Sequence, residues 1–185
     1  MFATIRAKII GFSFLSLLLI LLVSLAGNYG KSEMNRAIAY SQGNISAINT
    51  NMQVNMAHDE VRADVLQILR EAKTGDTAAY KEASKNLTDH LKILTTSSAR
   101  LSASTVISEK TRQAISTVRA DVEGFAKSAQ SIAESAQADA AGAEAWFAEF
   151  IEKYKKLKTS QLTVNNQIAA DMEVSRQADR YRRTG

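Results

Sequence analysis

The side chains best suited to chemistry crowd into residues 55–69, NMAHDEVRADVLQIL. Asn55, Asp59 and Arg62 follow one another at the spacing of a single helical face. They interrupt a stripe that is otherwise apolar: Ile45, Ile48 and Met52 before them, Leu66 and Leu69 after. A polar break in an apolar stripe costs stability unless its groups are paired or wet. Two readings follow. Asp59 and Arg62 form a modest i,i+3 ion pair at the edge of a helical assembly, or the three residues make a polar patch for a partner. His58 lies on the adjacent stripe of Val54, Val61, Val65, Ile68 and Ala72, and His90 falls between Leu87, Leu91 and Leu94. At similar distances from the turn at 73–76, the two imidazoles either face each other, with Asp59 or Asp89 nearby, or are unrelated. A facing pair would suit a divalent cation or a proton sensor. Trp146, Phe147, Phe150 and Tyr154 line a pocket or, at that helical spacing, form core at one end of the fold.

Enzymatic chemistry finds no such footing. The sequence holds no His-Glu-x-x-His, no nucleophile elbow and no metal-spaced Cys/His set. Asp59 and Glu60 are neighbours and point to different faces, while Glu71 and Lys73 read as solvated surface. No set of residues with catalytic roles can be assembled, so the expectation is a protein that is not an enzyme. The eight Gly are scattered, which leaves no Gly-rich phosphate loop, and no cofactor is expected. The absence of Cys removes disulfides and thiolate metal sites.

The elements that position these residues are helices. In 185 residues there is no Pro, the residue that breaks helix interiors at a cost of roughly 3 kcal/mol. Helical periodicity runs through Ile45, Ile48 and Met52 up to KTGD, 73–76, where Gly75 suits a left-handed cap and Asp76 or Thr77 caps the next helix. A second helix carries Tyr80, Ser84, Leu87, Leu91, Leu94, Ser98 and Leu101, and the Ser/Thr-rich stretch 102–108 turns the chain. Ile115, Val118, Val122, Phe125, Ala129, Ile132 and Ala136 mark a third helix. The pattern lapses at 137–143 and resumes in a fourth with Phe147, Phe150, Tyr154, Leu157, Val164, Ile168 and Met172. The predicted helices are 30–73, 77–102, 107–136 and 141–183. Four apolar stripes with short connections predict an all-α, antiparallel up-down four-helix bundle over 30–185.

Ahead of the bundle, Ile9 to Tyr29 carries no charge. At helical rise it is about 30 Å long, one hydrocarbon core. Arg6 and Lys8 precede it, so the positive-inside rule keeps a tail, 1–8, in the cytoplasm and the bundle outside. Ser24-Leu25-Ala26 offers a signal-peptidase site, but the apolar run exceeds a signal h-region, which favours an uncleaved anchor. The net charge of +4 gathers at the ends, in Arg6 and Lys8 and in Arg176, Arg180, Arg182 and Arg183. That distribution suits membrane flanks and speaks against a nucleic-acid partner. The first and fourth helices reach about 65 Å and the inner two about 45 Å, so the outer pair alone approaches the membrane. The geometry predicts a second span after Arg183.

With its anchor at 9–29, MAHDEVRADVLQIL at 56–69 and ADAAGAEAWFAEF opening the fourth helix, the chain resembles the sensory half of bacterial methyl-accepting chemotaxis proteins with a four-helix-bundle periplasmic domain. The resemblance covers essentially the whole chain. It implies a homodimeric inner-membrane receptor for small molecules, organic acids or amino acids, or for a periplasmic binding protein. In aspartate-type members, arginines on the distal part of the first helix hold ligand carboxylates across the dimer. Arg62 and Arg70 are the arginines available here for this role, at a spacing different from the family's, with Asp59 and Asn55 beside them. The second span, HAMP linker and methylated hairpin of the family do not follow, so the expectation is a fragment or truncated product. Alternatives are the input bundle of a sensor kinase or cyclase, or an anchored structural coiled coil without ligand.

Overall fold

The computed structural model describes residues 5–184, with the side chains of all but 6–9, 175, 178, 179 and 181–184. Residues 1–4 of the expected cytoplasmic tail, Gly185, and the side chains of Arg6, Lys8, Arg182 and Arg183 lie outside the described residues. Every described element is a helix: α1, Ile5–Thr74; α2, Thr77–Ser102; α3, Glu109–Ala136; α4, Ala140–Ala145; and α5, Phe147–Thr184.

The chain divides into two compact units, Met1–Gln42 and Gly43–Gly185. The boundary thus falls later than the end of the apolar run at residue 29, and packing explains why. No described side chain before Ala47 is buried, so the charged turns that follow the apolar run have no core to join. Within the first unit the apolar side chains from Ile10 to Leu25 are all exposed. This run is long and apolar enough to cross a membrane.

In the second unit the core is built from the predicted stripes. Val54, Ala57, His58, Val61, Val65 and Ile68 are buried on α1 around the charged stretch, and Asp64 is buried among them. Leu87, Leu91 and Leu94 face inward from α2, and Phe125, Ala129 and Ile132 from α3. Phe150, Tyr154, Leu157, Val164 and Ile168 complete the core from α5. The neighbouring stripe of α1 behaves differently. Ile45, Met52 and Leu66 are exposed, and only Leu69 at its end is buried.

Local chemistry sets the ends of these helices. Gly75 takes a φ of +76°, a left-handed conformation that glycine adopts without a Cβ penalty, and its N–H closes on the Glu71 carbonyl at 3.0 Å. Asp76 caps α2 by accepting from the N–H groups of Ala78 and Ala79 at 3.1 and 3.0 Å. Ser108 caps α3 through the Thr111 N–H at 3.1 Å, so this helix begins at Glu109 instead of 107. The expected single fourth helix, 141–183, is two helices. Asp139 caps the short α4 through the Gly142 N–H at 2.9 Å, and the Trp146 N–H turns back to the Ala143 carbonyl at 3.2 Å. That tight turn interrupts the helical ladder before α5 starts. Trp146 is left exposed, while Phe150 and Tyr154 join the core.

Side-chain bonds tie the helices in pairs. Gln53 of α1 accepts from Ser97 of α2 at 3.3 Å. Lys73 of α1 meets Glu144 of α4 at 2.7 Å. Asp121 of α3 accepts from Lys156 and Ser160 of α5 at 2.8 and 2.9 Å. Asp171 of α5 holds the 103–108 connection, accepting from the Ser108 N–H and the Thr111 hydroxyl, both at 2.8 Å. These donors hold the Asp171 carboxyl below its usual range against the opposing effect of burial.

Candidate functional site

The charged stretch of α1 converges on one residue of α5, Tyr154. Its hydroxyl donates to Asp59 at 2.7 Å. Its ring carries the Arg62 guanidinium at 5.1 Å from the centroid and the Lys158 ammonium at 5.7 Å. Its backbone carbonyl accepts from Nε2 of His58 at 3.2 Å. Asp59 and Arg62 do not form the ion pair their i,i+3 spacing predicts. Tyr154 offers the carboxylate a hydroxyl donor and the guanidinium a ring face, and each residue takes that contact instead.

His58 is fully buried and sits in an aromatic cluster. Its imidazole stacks on Tyr154 with ring centres 4.3 Å apart and tilts against Phe125 at 5.0 Å; Phe125 in turn stacks on Phe150 at 5.1 Å. Burial lowers the His58 pKa, outweighing the backbone bond to Tyr154 and the attraction of Asp59, whose Oδ1 is 3.7 Å from Nδ1. His58 is therefore a neutral imidazole donating from Nε2.

His90 has other partners. Its Nδ1 is 2.6 Å from Asp64 and its Nε2 is 3.6 Å from Glu60, both on α1. Burial raises the Asp64 carboxyl pKa, and the hydrogen bond from His90 acts against that rise. His58 is turned to α5 while His90 meets α1, so the structure does not give the two histidines a common site. Among the described residues no group of three or more His, Asp or Glu is arranged to hold a metal.

Asn55 reaches α5 as well. Its Nδ2 donates to Asn165 at 3.3 Å, and Asn51 donates to the same oxygen at 2.6 Å. Arg70 stands apart, exposed and bonded through Nε to its neighbour Glu71 at 2.8 Å. Arg62 and Arg70 thus share no partner. What they have in common is exposure, which leaves both guanidinium groups accessible from solvent.

Sequence reasoning overlooked Asn165, the hydroxyl of Tyr154 and the amide of Gln161, and took Ser98 only as a member of the α2 stripe. Gln161 did carry a signal. It stands between Leu157 and Val164, at the helical spacing where an apolar residue would continue the α5 stripe. Comparison with protein-family models, with curated proteins and with solved structures finds no match for this chain.

Proposed function

We infer that this chain is the ligand-sensing, membrane-anchored part of a bacterial chemotaxis receptor. In this reading the N-terminal run spans the inner membrane with its start in the cytoplasm. The second unit is an antiparallel up-down four-helix bundle in the periplasm, and two copies pair along α1. The observation that carries the reading is α1 itself. One helix, Ile5–Thr74, contains both an uncharged run long enough for a bilayer and a bundle segment whose outer face remains apolar. On that face Ile45, Met52, Asp59 and Leu66 recur every seventh residue, interleaved with Ile48, Asn55 and Arg62, while Leu69 at the end of the stripe turns into the core. This is the pattern of a two-helix seam with a polar centre. The antiparallel arrangement is supported by residue pairs whose numbers rise on one helix and fall on the next. Examples are Asn51 with Asn165 and Asp59 with Tyr154, or Gln53 with Ser97 and Asp64 with His90.

The polar centre supports a site for an organic acid or amino acid. Arg62 is exposed there, and its planar fork suits a carboxylate. A ligand drawing on Arg62 would loosen its contact with Tyr154. The signal would then be a displacement of α5 relative to α1 by about 1–2 Å.

Because the chain has no Cys, single cysteines test the pairing directly. Met52→Cys in full-length protein in membranes should yield a disulfide-linked dimer, while Lys127→Cys on the exposed side of α3 should not. A thermal-shift screen of organic acids, amino acids and divalent metals tests the sensing. Dimers that respond to none of these compounds would favour an anchored structural coiled coil. Ligand binding that survives Arg62→Ala and Arg70→Ala unchanged would remove the arginines from the site.

A further inference from the structure

A cleft of about 460 Å³ opens between α2 and α3 and reaches α1 and α5 at its floor. Val54, Gln161 and Val164 are buried at the floor, and the exposed Arg119 and Glu123 form the rim. A groove of similar volume lies between α1 and α2, but its lining includes no unpartnered buried polar atom, which sets the first cleft apart. It falls within the range of sites for small organic ligands.

The polar groups around the cleft divide into two kinds. Thr95 and Ser102 return their hydroxyls to carbonyls of their own helix, those of Leu91 and Ser98, each at 2.9 Å. Asn51 donates to Asn165. By contrast Nε2 of Gln161 and the hydroxyl of Ser98 are buried without any hydrogen-bond partner. Gln161 is only 5% exposed. Leaving a buried amide unpaired is unfavourable, and natural proteins keep such groups where something else satisfies them.

We propose that this cleft binds a neutral small molecule with an apolar body and a carbonyl oxygen, toward which the Gln161 amide and the Ser98 hydroxyl, both enclosed in the free protein, turn to donate. The Gln161 amide nitrogen can only donate and the Ser98 hydroxyl can donate beside it, so an acceptor on the ligand satisfies both. Apart from the Gln161 amide the floor is formed by Val54 and Val164, and it holds no cation. The charges at the rim neutralise each other in the Arg119–Glu123 pair at 2.9 Å, so an ionised carboxylate would enter without compensation. This site is separate from the polar centre of α1 and does not rest on the receptor reading.

The test uses the full chain in lipid nanodiscs and 4-fluoroacetophenone, followed by fluorine NMR against empty nanodiscs. Saturable binding of the ketone is expected, with 4-fluorotoluene about ten-fold weaker, the scale of one hydrogen bond, and 4-fluorobenzoate excluded. Gln161→Leu should weaken the ketone by about the same factor while raising the melting temperature of the unliganded protein, because it removes an unpaired polar group. A glutamine with a purely structural role would do the opposite on melting and leave binding unchanged. Should Gln161→Leu fail to fold, Ser98→Ala removes a single oxygen and should still weaken the ketone several-fold. The proposal is overturned by no binding above empty nanodiscs, by benzoate binding more tightly than the ketone, or by ketone affinity that is indifferent to these substitutions.

Discussion

The ring of Tyr154 lies flat on the imidazole of His58, with planes 8° apart and centres separated by 4.3 Å. One face of the charged stretch is thereby joined to the centre of the bundle. Asp59 and Arg62 at the surface and Phe125 and Phe150 in the core are linked through these two rings.

Since burial lowers the His58 pKa, the folded protein resists protonation there while the unfolded chain accepts it near the ordinary imidazole value of about 6.5. Stability due to the neutral ring is present above that value and is lost as pH falls below it toward the folded pKa. Asp64 acts with the opposite sign, since its raised pKa makes the fold less favourable as pH rises through that value. Urea titrations between pH 7 and pH 5 should therefore show a smaller loss of stability in His58→Phe than in wild type. Equal slopes would mean that His58 does not titrate as its burial implies.

Tyr154→Phe keeps the stack on His58 and the ring under Arg62 but deletes the bond to Asp59. As Asp59 is exposed and regains water, the loss should be small, about 1 kcal/mol in denaturant melts. Phe125→Ala removes a wholly buried ring from the same cluster and should cost roughly 3–5 kcal/mol.

At the first turn, Gly75→Ala puts a Cβ on a backbone held at a φ of +76°. A loss of about 1–2 kcal/mol is expected, with Gly75→Asn closer to wild type. Comparable effects of both substitutions would show that left-handed geometry is not what the position demands.

Asp171→Asn should release the 103–108 connection, since the carboxylate takes two donors from it. Hydrogen exchange at Ser108 should accelerate, with little change in the aromatic cluster. The lowered pKa of Asp171 gives stability that is present above the normal carboxylate range and lost as pH falls through the folded value. The variant should lack that acid-side component.

Much of the architecture is written in local patterns. The absence of Pro and the 3–4 spacing of Val54, Val61, Val65 and Ile68, or of Leu87, Leu91 and Leu94, specify helices and the faces they bury. Gly75 and Asp76 mark a helix end because backbone conformation and capping depend on neighbours in the chain. The short α4 and the break at Trp146 were not legible, because an Ala-rich stretch is equally compatible with a continuous helix. Of the two adjacent stripes on α1, the one broken by Asn55, Asp59 and Arg62 is the one left largely exposed, and the one that carries His58 is buried.

The partners of the charged residues were decided only by tertiary structure. Sequence spacing places Arg62 beside Asp59, but Tyr154 lies far along the chain and competes for both with a hydroxyl and a π face. His58 and His90 read as a pair from their distances to the turn, yet the rotation of each helix sends one to α5 and the other to Asp64 of α1. Helical periodicity fixes which residues share a face. Only packing fixes what that face meets, and for Ser98 and Gln161 it left a space with no partner from the chain itself.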